Sequence, residues 1–225
     1  MQPISTYIDS YDKNKFIKEY DNYIHAHGGD GTLIRAVSMH RDKNKPFFGS
    51  AAGTENFMMN PEKEILDTST TIEVNNIHVE VTFTEDAEIK TESYEAFNEL
   101  ALGGDMNSWI SYSFDNELYE EVKGSGMIFS TTQGSTSFNK NNGGKVLPLS
   151  SKEWSITGLA TNRRINSVID PTETTIYVKS RTPVTAWIDG SNNKVVKNVI
   201  SVKISKGTKV QLIFNDIEAF KKKRR

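Results

Sequence analysis

The sequence has no cysteine, so neither a disulfide framework nor a thiolate metal site is open to it. A cysteine-free chain suits a reducing compartment, and a cytoplasmic location is expected. No apolar run reaches the roughly 20 residues that a membrane-spanning helix needs. No charged-then-apolar segment opens the chain, so neither a leader nor a membrane partner is expected. Charge of one sign is also scarce: the formal net charge is −2, which gives no general attraction to nucleic acid. The basic run Lys221-Lys222-Lys223-Arg224-Arg225 is the local exception, and it reads as a solvated, frayed tail. With 225 residues the chain is long enough to bury a core without covalent staples, as one domain or two small ones.

Glycine is present where it matters. The half-apolar stretch Tyr23-Ile24-His25-Ala26 reads as a strand. The turn His27-Gly28-Gly29-Asp30-Gly31-Thr32 follows, and then a helical pattern through Leu33, Ile34, Ala36, Val37 and Met39. Glycines let such a turn approach a ligand closely, and the unpaired N–H groups at the helix start suit phosphate. An aspartate there repels the anion that the backbone attracts. That placement makes sense if Asp30 handles a proton or a hydroxyl beside a phosphate. The plain structural alternative is a tight turn with Asp30 or Thr32 as the N-cap.

Phe47-Phe48-Gly49 begins a second buried strand that runs into another glycine turn, Ala51-Ala52-Gly53-Thr54-Glu55-Asn56-Phe57, giving the strand–helix–strand order of a parallel sheet. A short helix is expected around Phe16, Ile17 and Tyr20. From about residue 70 the pattern turns to β. Ile72, Val74, Ile77, Val79, Val81 and Phe83 lie in runs expected to break at Asn75-Asn76. Asp115-Asn116 separates Ile110, Tyr112 and Phe114 from Leu118 and Val122, as in a hairpin. Further strands fall at 176–178, 184–188, 195–204 and 210–214, with Asp189-Gly190 and Lys206-Gly207 as turns. The expected fold class is α/β plus β: a small, open, Rossmann-like N-terminal α/β domain over 1–68, with 212–225 a candidate to complete it, and a larger β-rich domain over 69–211.

Two further stretches carry chemistry. One is Asn98-Glu99, ahead of Leu100-Ala101-Leu102. The other runs from Gly124-Ser125-Gly126 through a strand to Gly134-Ser135-Thr136-Ser137-Phe138-Asn139, and is closed by Gly143-Gly144. Its hydroxyl- and glycine-rich turn can cup an anion or a ribose, and Phe138 offers a face on which a purine can stack. Taken alone, Asn98-Glu99 could simply start a strand, and Phe138 could be core.

Together, the Gly-Gly-Asp-Gly-Thr turn, the Asn-Glu pair and the Gly-Ser-Thr-(small)-aromatic-Asn segment with paired glycines resemble the NAD kinase family, in family order, over residues 23–214. Asp189-Gly190 is similar to that family's late Asp-Gly turn. The resemblance implies a small α/β domain with a larger β-rich one, and transfer of a phosphoryl group from ATP, with magnesium, to the 2′-hydroxyl of the adenosine ribose of NAD. It implies that Asp30 takes the proton from that hydroxyl and that Gly31 approaches the nucleotide through its backbone. Asn98 and Glu99 would hold ribose hydroxyls or the adenine edge. Thr136 and Ser137 would hydrogen-bond the nucleotide, Phe138 would stack on a base, and Phe57 would lie beside the adenine. Gly29, Thr32, Ser125 and Asn141 complete the expected nucleotide-binding set. No protein-held metal is implied, and a homo-oligomer, dimer or tetramer, is.

The chain also departs from that family. Ser125 stands where an Asp is usual, and Phe138 where a Tyr is usual. The turn 53–57 looks partly like the Gly-Thr-Gly-Asn-Asp-Phe turn of lipid kinases. Two rival readings follow: a nucleotide-binding protein of this fold without kinase activity, and a kinase of a lipid or another alcohol of the diacylglycerol kinase-like type. His25 and His27 share one face of a strand, but two histidines without a third ligand favour polar packing over a metal site.

Overall fold

The computed structural model describes residues 2–52, 56–104, 109–115, 121–190 and 193–224. Gly53, Thr54 and Glu55 of the second glycine turn, Asn116 and Leu118 of the expected hairpin, and Arg225 lie outside the described residues. The chain runs through β1 (Ser5–Ile8), β2 (Phe16–Glu19), β3 (Ile24–Gly28), α1 (Asp30–His40), β4 (Phe47–Ala51), β5 (Thr70–Glu85), β6 (Glu88–Ala96) and β7 (Glu99–Gly103). It continues through β8 (Ile110–Phe114), β9 (Val122–Gly124), β10 (Gly126–Ser130), α2 (Phe138–Asn141), β11 (Trp154–Leu159) and β12 (Asn166–Ile169). It closes with β13 (Thr174–Lys179), β14 (Thr185–Ile188), β15 (Lys194–Val196), β16 (Val199–Phe214) and α3 (Ile217–Lys223). These elements form two compact units, Met1–Val74 with Lys209–Arg225, and Asn75–Thr208.

In the first unit, β3 and β4 pair in parallel, with His27 opposite Ser50 and Gly28 opposite Ala51. The end of β16 adds a second parallel neighbour to β4, through Leu212 and Ile213. Helix α1 joins β3 to β4 and buries Leu33, Ala36 and Val37. That is the spacing of one helix face, so the apolar periodicity sets which side meets the sheet. The helix expected around Phe16 is instead strand β2, pairing with β1 and with β3 (Phe16 opposite His27, Ile17 opposite Ala26). Its short apolar run fits either period, and the free edge of β3 decides for the strand.

The second unit is two antiparallel arrangements around one core. A six-stranded sheet has the order β12-β11-β10-β7-β14-β15. Opposite it are β9, β8, β13 and the first part of β16, with the β5–β6 hairpin. Leu102, Met127, Phe129, Trp154 and Ile156 from one side share a buried cluster with Val79, Val81, Ile110, Tyr112, Ile176 and Val202 from the other. Along β5, Ile77, Val79, Val81 and Phe83 are buried while His78, Glu80 and Thr82 are not, the alternation of a sheet with one wet face.

Two expected breaks are absent. Asn75-Asn76 lies inside β5, where the Asn76 amide donates to Thr208 Oγ1 at 3.0 Å. Lys206-Gly207 lies inside β16. A Cβ on Gly207 would stand 2.3 Å from Glu95 Oε2 and 2.8 Å from His78 N, so this glycine serves close strand approach and not a turn.

Candidate functional site

The first unit presents Asp30. Gly29 is the N-cap of α1, in extended conformation and with no side-chain cap. The turn closes by Thr32 N–H and Leu33 N–H donating to Gly29 O, at 2.9 and 3.3 Å. Neither Asp30 nor Thr32 caps the helix, so that structural alternative fails. The Asp30 carboxylate is instead turned toward residues 57–58, where it accepts from Phe57 N–H at 2.9 Å and from Met58 N–H at 3.0 Å. Burial pushes its pKa up. Those two N–H groups, and then the charges of Lys223 and Arg224, pull the other way. A partly exposed carboxylate so held is fixed in direction and more basic than a surface acid. Phe57 thus meets Asp30 through its backbone, and Gly31 keeps open space on its Cβ side.

Behind the turn, Ser50 Oγ bridges two histidines, His25 Nε2 at 2.7 Å and His27 Nδ1 at 2.8 Å. Burial lowers the pKa of both. His25 falls to about 4, with the charges of His27 and Lys18 adding to the burial effect. Both rings pack on Phe16, at 5.3 and 5.0 Å between centroids. This is polar packing, and among the described residues no three His, Cys, Asp or Glu side chains gather as a metal site.

The basic run is not a frayed tail. Residues 217–223 form α3, capped by Asp216, which accepts from Ala219 N–H at 3.0 Å. Phe220 packs on Phe214 with centroids 4.2 Å apart. Arg224 follows the helix and is only 7% exposed. The run is amphipathic at its start, so Phe220 anchors a helix that charge alone would leave in solvent.

The second unit presents Asn98 and Glu99 at the entry to β7. Three surrounding groups use up the main chain there. The Asp189 carboxylate accepts from the N–H groups of Phe97, Asn98 and Glu99, at 2.8, 2.6 and 3.2 Å. Asp189 sits at φ 55°, a left-handed conformation that Asp tolerates better than most residues. Thr131 Oγ1 donates to Phe97 O at 2.7 Å, and Thr131 N–H to Asn98 O at 2.9 Å. Gln133 Nε2 donates to Phe97 O at 2.6 Å. A Cβ on Gly134 would fall 2.1 Å from Asn98 O, so only glycine lets the hydroxyl-rich turn close on the Asn-Glu pair.

With the backbone satisfied, side-chain atoms remain. Asn98 Oδ1 and Glu99 Oε2 are buried and have no hydrogen-bond partner among the described residues. Buried polar atoms are rarely left so, and such a pair is what a donor-bearing ligand would satisfy. Burial, with the nearby Asp189 charge, raises the Glu99 pKa to about 8. Glu99 is therefore mostly protonated at neutral pH and can donate as well as accept.

Beyond Gly134, Thr136 is buried and Ser137 partly so. Phe138 opens α2 and is 42% exposed, so its face is available and it is not core. Asn139 is the buried member of the segment. Its amide donates to Lys145 O at 3.0 Å and its carbonyl accepts from Thr157 Oγ1 at 2.7 Å, which pins the loop. Asn141 is exposed. Ser125 is not brought to this cluster. It precedes β10, whose five residues separate it from the turn after Ser130 by roughly 17 Å of strand.

No family model matches the chain. A sequence relative does: the NAD kinase of Rickettsia bellii is 26% identical over 199 residues, covering 84% of this chain and 78% of that protein. Among solved structures, a yeast NADH kinase complexed with NADH matches with TM-score 0.70 at 14% identity, over 87% of this chain and 62% of that one. An NAD kinase from Archaeoglobus fulgidus in complex with ATP matches with TM-score 0.65 at 17% identity, over 90% and 80%. The chain is thus similar in sequence to NAD kinases and shares their fold.

The structure gives this NAD kinase-like chain three features that its motifs did not announce. Asp189 was legible only as a turn residue, although its distant carboxylate organises the Asn-Glu pair. Arg224 lay within a charge run of the kind that usually faces water. The signal that could have found it was Phe214 with Phe220, an aromatic pair able to fold the helix back. Asn139, not Asn141, is the amide locked into the fold.

Proposed function

We propose that this protein transfers the γ-phosphoryl group of ATP to the 2′-hydroxyl of the adenosine ribose of NAD, giving NADP and ADP. The observation that carries this is Asp30, a fixed and partly buried carboxylate at the head of α1. The ribose oxygen attacks the γ-phosphorus as its proton passes to Asp30. The bond from that phosphorus to the bridging oxygen breaks, and ADP leaves. The N–H groups at the start of α1 suit the phosphate beside that acid. Phosphoryl transfer asks the protein mainly for positioning and charge compensation, so one proton acceptor is a sufficient inventory.

In the second unit, Asn98 and Glu99 hold hydroxyls or the adenine edge through their unpartnered oxygens, and Phe138 supplies a stacking face. Thr136 and Ser137 add hydroxyl contacts. ATP enters as its magnesium complex, the ion being part of the substrate. The first unit, with its C-terminal return, carries the chemistry, and the second carries nucleoside recognition. A cytoplasmic homo-oligomer is the setting we propose. The cysteine-free chain supports the first part of that, and the open edges of β12 and β15 in the six-stranded sheet support the second.

The test is direct. Purified protein is incubated with NAD, ATP and magnesium, and NADP is read with an NADP-specific dehydrogenase. NADP formation is expected. Tight NAD binding without NADP from any phosphoryl donor would leave a binder of this fold.

A further inference from the structure

The Asn-Glu pair lies where the chain changes sheets. The β5–β6 ladder runs up to Ile77 opposite Ala96. Just beyond, at Glu99, the same chain enters β7 of the six-stranded sheet. The side chain of Gln133, fully buried, enters where the two strands part. Its Nε2 donates to Phe97 O at 2.6 Å and to Asn75 O, on β5, at 3.1 Å. Two carbonyl partners fix the orientation of the amide, since only its NH2 end can donate to both. The same Phe97 oxygen is 2.7 Å from Thr131 Oγ1, but that hydroxyl also lies 2.9 Å from Asn98 O and has one hydrogen to share. The Gln133 amide has two hydrogens, one for each carbonyl it meets.

We propose that Gln133 is a positioning residue for nucleoside recognition: its amide, set between β5 and the chain leaving β6, fixes the peptide ahead of Asn98 and so aims the Asn98 side chain at the ligand. The inference deepens the reading of Asn98 as a nucleotide-binding residue and rests on it. A peptide is planar, so Phe97 C=O and Asn98 N–H are two ends of one rigid plate. Gln133 holds the oxygen end, and Asp189 holds the N–H end at 2.6 Å. The plate on the other side of Asn98 is held as well. Its oxygen accepts from Thr131 N–H at 2.9 Å, and its N–H, that of Glu99, donates to Asp189 at 3.2 Å. With both plates fixed, the direction of the Asn98 Cα–Cβ bond is set. The buried, unpartnered Oδ1 of Asn98 is then presented in one place before any ligand arrives. An acceptor so preorganised loses less freedom on binding than a mobile one. Asn75 supplies the fixed point, because it belongs to β5 and ties the plate to the sheet that the chain has just left.

Two readouts on the same variants test this. Gln133→Met removes both N–H donors and keeps nearly the same length. The first readout is the Asn98 χ1 angle, from three-bond NMR couplings in labelled protein without ligand. One rotamer is expected in the parent, and averaging over rotamers in Gln133→Met. The second is NAD affinity by calorimetry. Gln133→Met should weaken it roughly three- to tenfold, with turnover at saturating NAD and the KM for ATP near the parent. In an Asn98→Ala background the same substitution should weaken NAD no further, because the side chain it aims is gone. Gln133→Leu serves if the methionine variant does not fold, and the same outcomes are expected. A folded Gln133→Met or Gln133→Leu protein in which Asn98 keeps the parent rotamer overturns the inference. So does an equal loss of NAD affinity with and without the Asn98 side chain, the mark of a merely structural effect. The rotamer arm needs neither NAD nor turnover. A parent whose NAD affinity survives Asn98→Ala therefore defeats the functional reading of Asn98, while the couplings still decide whether Gln133 positions it.

Discussion

Replacing Asp189 with Asn probes how the Asn-Glu pair is built. Asn keeps the shape and tolerates φ 55°, so the backbone is not the variable. The hydrogen bonds are. Oδ1 of Asp189 accepts from Asn98 and Glu99, and Oδ2 accepts from Phe97. An amide can keep its oxygen toward Asn98 and Glu99, but its NH2 then faces the Phe97 N–H, donor against donor. Two bonds fall from charge-assisted to neutral strength and one is lost. With about 1.5–3 kcal/mol for a bond to a charged group and about 1 kcal/mol for a neutral one, the cost is roughly 2.5–7 kcal/mol. The substitution also removes a negative charge that acts on Glu99, so the Glu99 pKa should fall from about 8 toward the ordinary carboxylate range. Urea unfolding gives the first quantity and carbon-13 titration of the Glu99 carboxyl the second. NAD affinity measured by calorimetry should weaken as the Asn98–Glu99 backbone loosens. An Asp189→Asn protein with parent stability and an unmoved Glu99 midpoint would refute the reasoning.

Other outcomes follow from the same geometry. Phe138 is 42% exposed, so Phe138→Ala should cost well under the ~3–5 kcal/mol of a core phenylalanine while weakening nucleotide binding by about 1–3 kcal/mol, and Phe138→Tyr should bind as the parent does. Paired melting and binding curves check this, and lost stability with intact affinity would sink the stacking role. His25 is neutral and buried, with a folded pKa of about 4 against 6.5 for the free side chain. The unfolded chain binds the extra proton between those values. Stability should therefore be full above about pH 6.5 and fall by up to ~3 kcal/mol as pH drops to about 4, a slope that His25→Gln should flatten in acid-titrated urea melts.

Much of the architecture was legible because local pattern and tertiary demand agree. The strand–glycine turn–helix of residues 24–40 and the alternation in β5 each carry the period of the element they form. Polar and glycine signals misled where a distant partner overrode them. Asn76 stays in a strand where Thr208 Oγ1 accepts from its amide nitrogen. Gly207 reads as a turn, yet the absence of a Cβ is what the approach to Glu95 requires. Phe16 and Ile17 read as helix because four residues cannot distinguish the two periods, and pairing with β3 settles them. In the site, residue types with inherent chemistry stood out, Asp30 and Asn98-Glu99 above all. The supporting groups did not. Asp189 acts across 90 residues of sequence, and such a separation leaves no local trace.

The central claim is that Asp30 accepts the proton of the ribose 2′-hydroxyl. Asn at this position retains one acceptor oxygen, so one of the two N–H bonds from Phe57 and Met58 is lost, at about 1–3 kcal/mol of stability. Folding must therefore be verified first by circular dichroism and melting. The decisive measurement is the rate of NADP formation by folded Asp30→Asn at saturating NAD and ATP, beside its NAD dissociation constant. Loss of general-base assistance predicts turnover lower by at least about 10²-fold, with NAD affinity within about tenfold of the parent. A folded Asp30→Asn protein that binds NAD and makes NADP at the parent rate contradicts the account.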